Sequence, residues 1–150
     1  MHYSIILCCS LLMPHAPSEE QSYLTGQSGY IPGLPLQGEW YGDSVVYRGV
    51  KLSSDVATSV VITFQRDHLQ FRFLGSGEGD TTIYKLDSLT TPNHLTVDYF
   101  DASRRKAMGI CRTMGDQRLI ICLSLTAEGE RPTTFSCGRD QVLVILTRVK

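Results

Sequence analysis

A chain of 150 residues has room for one domain around a single core. Its hydrophobic fraction of 42% and charged fraction of 19% exclude disorder over most of its length. A net charge of -1, from 14 basic and 15 acidic residues, leaves no electrostatic footprint for nucleic acid and no basic stripe for an anionic membrane.

Residues 1–16 differ from the rest of the chain. Ile5 to Met13 is apolar apart from Ser10, and the chain turns polar at Pro17-Ser18-Glu19-Glu20. A bilayer span takes roughly 20 apolar residues, so no transmembrane segment is expected here. The run has the length of the apolar part of a secretory leader, with Ala16 as the cleavage point, which places the mature protein outside the cytoplasm, periplasmic or secreted. Against this stand the lack of any Lys or Arg before the run and Pro14 where a small residue is preferred. The alternative is a mis-set start or an unstructured tail. Residues 17–35 carry Pro17, Pro32 and Pro35 with Gly26, Gly29 and Gly33 between them and read as a flexible linker.

From Leu36 the hydrophobic period is two. The first strand spans Glu39 to Tyr47, with a bulge or bend at Gly42-Asp43. Val60, Ile62 and Phe64, then Leu69, Phe71 and Phe73, alternate with their neighbours, and only Arg66-Asp67 separates the two runs, which predicts a tight hairpin. Thr82, Tyr84 and Leu86 form the next face, and Leu95, Val97 and Tyr99 come after the turn cluster Thr90-Thr91-Pro92-Asn93. Strands from Met108 to Met114 and from Leu119 to Leu125 flank a turn at Gly115-Asp116, and a last strand runs from Gln141 to Val149. The links at 50–58 and 126–140 are longer, with room for one helical turn. Eight sequential strands close as an up-and-down barrel or stack as a sandwich. Closure removes both edges, which matters for a strand as apolar as Val142 to Leu146, so residues 36–150 are predicted to form an all-β, eight-stranded antiparallel barrel.

Leu36-Gln37-Gly38-Glu39-Trp40 at the first strand resembles the opening of a lipocalin-like domain family abundant in planctomycete bacteria. Tyr84 to Asp87, Gly109-Ile110 ahead of Gly115-Asp116, Leu119 to Cys122, Glu130 to Thr133 with Phe135-Ser136, and Gln141 to Leu143 stand in the family's order. The resemblance covers roughly residues 36–150. It implies a calycin-type barrel in which Gly38-x-Trp40 plugs the closed end and Arg148 packs over the indole, a cation–π contact of about 0.5–2 kcal/mol. These three residues are structural in that arrangement. Residues 111–118 depart from the family, which has an aromatic, a Leu and an Asp-Gly turn there, and this leaves the turn type open. The family supplies no reaction and no ligand to carry over.

Candidate sites are few. A two-residue turn at Asp116-Gln117 would set Cys111 opposite Cys122, within reach of a disulfide suited to an exported protein. In that register Met108 and Ile110 take the apolar face and both cysteines the outer one; a shift of one residue leaves them diagonal, as free thiols. Cys137 is then unpaired, and no metal-ligand spacing is present. Gly75-Ser76-Gly77-Glu78-Gly79-Asp80 joins two strands and carries acids that repel phosphate, so it reads as a barrel-mouth loop. His68 and His94 begin strands without a partnered nucleophile, and no cofactor motif appears, so catalysis ranks last. Arg112 falls by the same parity on the apolar face with Ile110 and Ile121, where it meets an anionic head group or reaches out to water.

An eight-stranded barrel is just wide enough to be filled by side chains or to hold one small molecule. Trp40, Phe64, Phe71, Phe73, Tyr84 and Tyr99 all point inward by parity, each with about 150–250 Å² to bury. That set would largely fill the barrel and leave at most a shallow mouth. The leading expectation is a non-catalytic barrel taking a small apolar molecule at its open end, lined by Phe64, Phe71, Phe73, Tyr84, Tyr99 and Arg112. The alternative is a packed barrel serving as a protein-interaction or structural module. A void of about 300 Å³ or more separates them in favour of the first.

Overall fold

The computed structural model describes residues 36–98, 105–126 and 129–148; the expected leader (1–16), the expected linker (17–35) and Tyr99 lie outside these. The elements run β1 (Gly38–Tyr47), β2 (Val50–Lys51), α1 (Ser54–Ser59), β3 (Val60–Gln65), β4 (His68–Phe73), β5 (Asp80–Asp87), β6 (Asn93–Asp98), β7 (Lys106–Met114), β8 (Arg118–Ser124) and β9 (Gln141–Thr147). Every pairing is antiparallel: β1 pairs with β2, β3 and β9, and from β3 onward each strand pairs with the next in sequence. β1 and β3 to β9 therefore close into an eight-stranded, lipocalin-like barrel, which leaves no apolar strand with an open edge.

β1 makes closure possible by serving two partners along its length. Gly38 to Tyr41 pair with β3, while Tyr41 to Tyr47 pair with β9. A register shift between Gly42 and Ser44 bends the strand, as a bulge does. Gly42 is required at that bend: a Cβ would run into the Ala57 carbonyl of α1, which rests against the strand. Beyond the bend β2 takes the free edge of β1, joined by a two-residue turn in which Arg48 (φ 53°) and Gly49 (φ 82°) are both left-handed. α1 has six residues and no side-chain cap at Ser53, so burial of Ala57 and not intrinsic propensity holds it.

The base of the barrel is solid. Leu36, Trp40, Phe64, Leu119 and Leu146 are buried there, and Phe64 meets Tyr84 edge to face at 5.0 Å. Trp40 is fully buried and its Nε1–H donates to the Leu36 carbonyl (2.7 Å), which satisfies the indole's one donor. Arg148 stacks on the indole at 4.2 Å and donates from Nη2 to the Gln37 carbonyl (2.7 Å). Gln37 in turn receives Arg66 N–H at Oε1 (2.7 Å) and donates to the Tyr84 hydroxyl (2.9 Å), tying the chain's approach to the β3–β4 turn.

The β7–β8 hairpin departs from the expected register. Met114 pairs with Arg118, so Gly115-Asp116-Gln117 forms a three-residue loop and Ile110, not Cys111, stands opposite Cys122. One residue of shift moves every side chain to the other face. Cys111 joins the interior cluster, whereas Met108, Ile110 and Arg112 face outward. The outer face of this wall is nonetheless covered. In the β8–β9 connection Arg131 inserts its Nη1 between opposed strands, donating to the carbonyls of Leu95 (2.8 Å) and Gly109. Its Nη2 reaches Thr96 Oγ1 (3.1 Å), Pro132 is buried, and the Cys137 thiol bonds the Val46 carbonyl at 3.3 Å. Ile110 and Cys122 are thus buried outside the barrel as well as the core being buried inside it.

Candidate functional site

Above the base the barrel is hollow. A cavity of about 690 Å³ runs up to the open end, within the range of about 300–1,000 Å³ typical of small-molecule sites. Its wall comes from all around the barrel: Val60 and Ile62 of β3, Leu69, Phe71 and Phe73 of β4, Leu95 and Val97 of β6, Ile121 and Leu123 of β8, Val142 and Val144 of β9. Tyr47, Leu52 and Val56, from β1 and the segment through β2 and α1, form part of the rim. Tyr47, Val56 and Phe73 are each more than two-fifths exposed, which marks where the cavity meets solvent.

The expectation of a filled interior is therefore corrected. The aromatic side chains do not stack through the barrel; they divide between its ends. Trp40, Phe64 and Tyr84 occupy the base, while Phe71 and Phe73 meet edge to face at 5.0 Å near the mouth. Between them the lining is Val, Ile and Leu, whose smaller side chains leave the middle open. Of the expected lining residues, Phe71 and Phe73 border the cavity; Phe64 and Tyr84 belong to the base beneath it.

Arg112 is a second correction. Its side chain is exposed on the outer face, where the guanidinium lies 5.3 Å from the Phe135 ring centre, so it supplies no charge to the interior. The disulfide is a third. Cys111, Cys122 and Cys137 are all free thiols, with Cys111 inside and Cys122 outside the same wall. Burial pushes the Cys111 thiol up to about 12 and that of Cys122 up to about 11, the latter helped by neighbouring Cys137, so neither is a nucleophile near neutrality.

Apart from Tyr47, the polar residues among the described lining lie on one strand. Asp80, Thr81 and Thr82 of β5 line it, with Asp80 opposite Phe71 and Thr82 opposite Leu69. Asp80 sits at the rim and is exposed, whereas Thr82 is 7% exposed and its Oγ1 has no hydrogen-bond partner. Sequence reasoning assigned Asp80 to the glycine-rich loop. The signal that would have extended the strand is the alternation Asp80, Thr82, Tyr84, Leu86, all on one face. Tyr84 closes that row at the base, where burial above all pushes its phenol up and its hydroxyl donates to the Arg66 carbonyl (2.8 Å).

Among the described residues no His, Cys, Asp or Glu cluster is arranged to hold a metal ion, and no helix is long and apolar enough to cross a membrane. The chain matches no protein-family model, no curated protein and no solved structure. What the site can do is set by its own geometry: it can exclude water from an apolar guest and offer oxygen acceptors along one wall.

Proposed function

We propose that this protein is a non-catalytic binding barrel that takes up a small, mostly apolar molecule through its open end. The observation that carries the reading is the 690 Å³ apolar cavity above a sealed base. Apolar surface transferred from water gains about 25 cal/mol per Å², so a guest of matching size is held chiefly by burial. The apolar run from Ile5 to Met13 supports action outside the cytoplasm, periplasmic or secreted. The order of motifs from Leu36 to Leu143, with the stacking of Arg148 on Trp40, supports membership of the lipocalin-like family of planctomycete bacteria.

The test is titration of the full chain with a neutral fluorescent apolar probe, N-phenyl-1-naphthylamine. Saturable binding is expected, and Val142→Trp, which fills the upper cavity, should weaken it by about tenfold or more without lowering the melting temperature. A probe that fails to bind, or binds Val142→Trp equally well, overturns the reading.

One observation favours a second reading, a protein-interaction module. Tyr47, Val50, Val56, Phe73 and Leu74 all expose apolar surface, and all stand at the open end. A partner docking on this rim would predict that Val142→Trp leaves association intact while Val50→Asp abolishes it.

A further inference from the structure

The polar groups of the cavity set the chemistry of the guest's head. Among the described residues, Asp80 is the one formally charged residue lining it, and no basic residue lines it. The described cations near the open end lie outside this lining: Arg48 stacks over the Tyr47 ring at 5.5 Å, Lys106 pairs with Asp98 at 4.0 Å, and Lys51, Arg105 and Arg139 are exposed residues that do not line it. Asp80 itself has no ion-pair partner among the described residues. Two residues further down the same strand face, about 7 Å along the chain, Thr82 lines the cavity, and its buried, unpartnered hydroxyl would reach a guest by rotation about χ1.

We infer that the cavity selects apolar molecules whose polar end is a protonated amine, and discriminates against carboxylates. This deepens the binding-barrel reading and rests on it. An ionised carboxylate such as Asp80 only accepts hydrogen bonds, and an ammonium brings three donors and no acceptor. Between Asp80 and Thr82 such a group finds one charged and one neutral oxygen on the same wall, and its hydrocarbon part extends toward Ile121 and Val144. An anionic head at that height meets like charge and no compensating cation among the described lining residues. Buried anywhere lower, it would lose its water to a wall of Val, Ile and Leu. A neutral alcohol falls between the two.

The test compares dodecylamine, dodecanol and dodecanoate, each below its micelle concentration and at about pH 7, where the amine is charged. Affinity is read by displacement of the neutral naphthylamine probe from the full chain. The amine is expected to bind about tenfold more tightly than the carboxylate, with the alcohol between, and the gap should shrink in high salt because Asp80 is solvent-exposed. Asp80→Asn should bring the amine close to the alcohol without changing the alcohol, and Thr82→Val should weaken amine and alcohol together. Equal binding of amine and carboxylate, or an amine preference that survives Asp80→Asn, overturns the inference and leaves the cavity reading intact. If dodecanol and the probe both fail to bind, the cavity reading itself falls.

Discussion

The two ends of the barrel are built to opposite specifications. At the base the largest side chains meet polar partners placed for them: the Trp40 indole donates to Leu36, Arg148 covers the ring, and Gln37 joins the β1 approach to the β3–β4 turn. At the mouth, aromatic and branched side chains border an open space, and the buried Thr82 hydroxyl is unsatisfied. A protein selected only for stability would fill such a space, since unfilled apolar volume costs packing. On the proposed reading the base serves folding and the mouth serves recognition, a division open to direct attack.

The largest effect is expected from exchanging one aromatic at each end. Trp40→Ala removes the fully buried plug and should cost about 3–5 kcal/mol of unfolding free energy in urea. Phe73→Ala, at a side chain 43% exposed on the rim, should cost about 1 kcal/mol or less and instead weaken binding of the naphthylamine probe. Comparable stability losses from the two would remove the division between the ends.

A middle-sized effect should come from the cover over the outer wall. Arg131 donates to two strand carbonyls at once, burial works against its charge, and Asp87 supports that charge. Arg131→Met keeps the aliphatic stem of the side chain but leaves both carbonyls without the guanidinium donor, for an expected loss of about 1.5–3 kcal/mol. Native-state amide exchange should then speed up around Leu95 and Gly109 and stay unchanged around Trp40. Loss of protection at Trp40 as well would show that the cover and the base unfold together.

The same cover explains where sequence reading succeeded and where it slipped. From Ile62 to Val97 one face of each strand meets the interior and the other is more polar and exposed, so the parity of Phe64, Phe71, Phe73 and Tyr84 is legible. In β8 and β9 the runs Ile120-Ile121-Cys122 and Leu143-Val144-Ile145 are apolar on both faces, because the segment 129–140 buries the outer one. No period remains to fix register there, and only the loop length decides it. A three-residue loop at Gly115, which takes φ +63°, sends Cys111 inward and Arg112 outward, against the two-residue alternative. The cavity was illegible for another reason. Its volume depends on how far apart the aromatics fall along the barrel axis, which is set by strand stagger and not by their number.

The smallest effect concerns the outer face of β1 near the base, where Glu39 accepts from the Tyr41 hydroxyl (2.8 Å) and from Arg72. The Tyr41 hydrogen bond, and after it the Arg72 guanidinium, hold the Glu39 carboxyl below its ordinary value of 4.5. Its ionised form is therefore favoured in the folded state more than in the unfolded chain. The resulting stability is fully present above about pH 4.5 and is lost as pH falls through the depressed folded value. Both side chains are about a third exposed, so screening keeps the contribution below about 1 kcal/mol. Urea midpoints measured at about pH 6 and about pH 3 should fall less in Glu39→Gln than in the parent, because the variant has no proton to take up there. An equal fall in both would mean that the pair is too solvated to be linked to folding, and the base would then owe its strength to the buried partners of Trp40 alone.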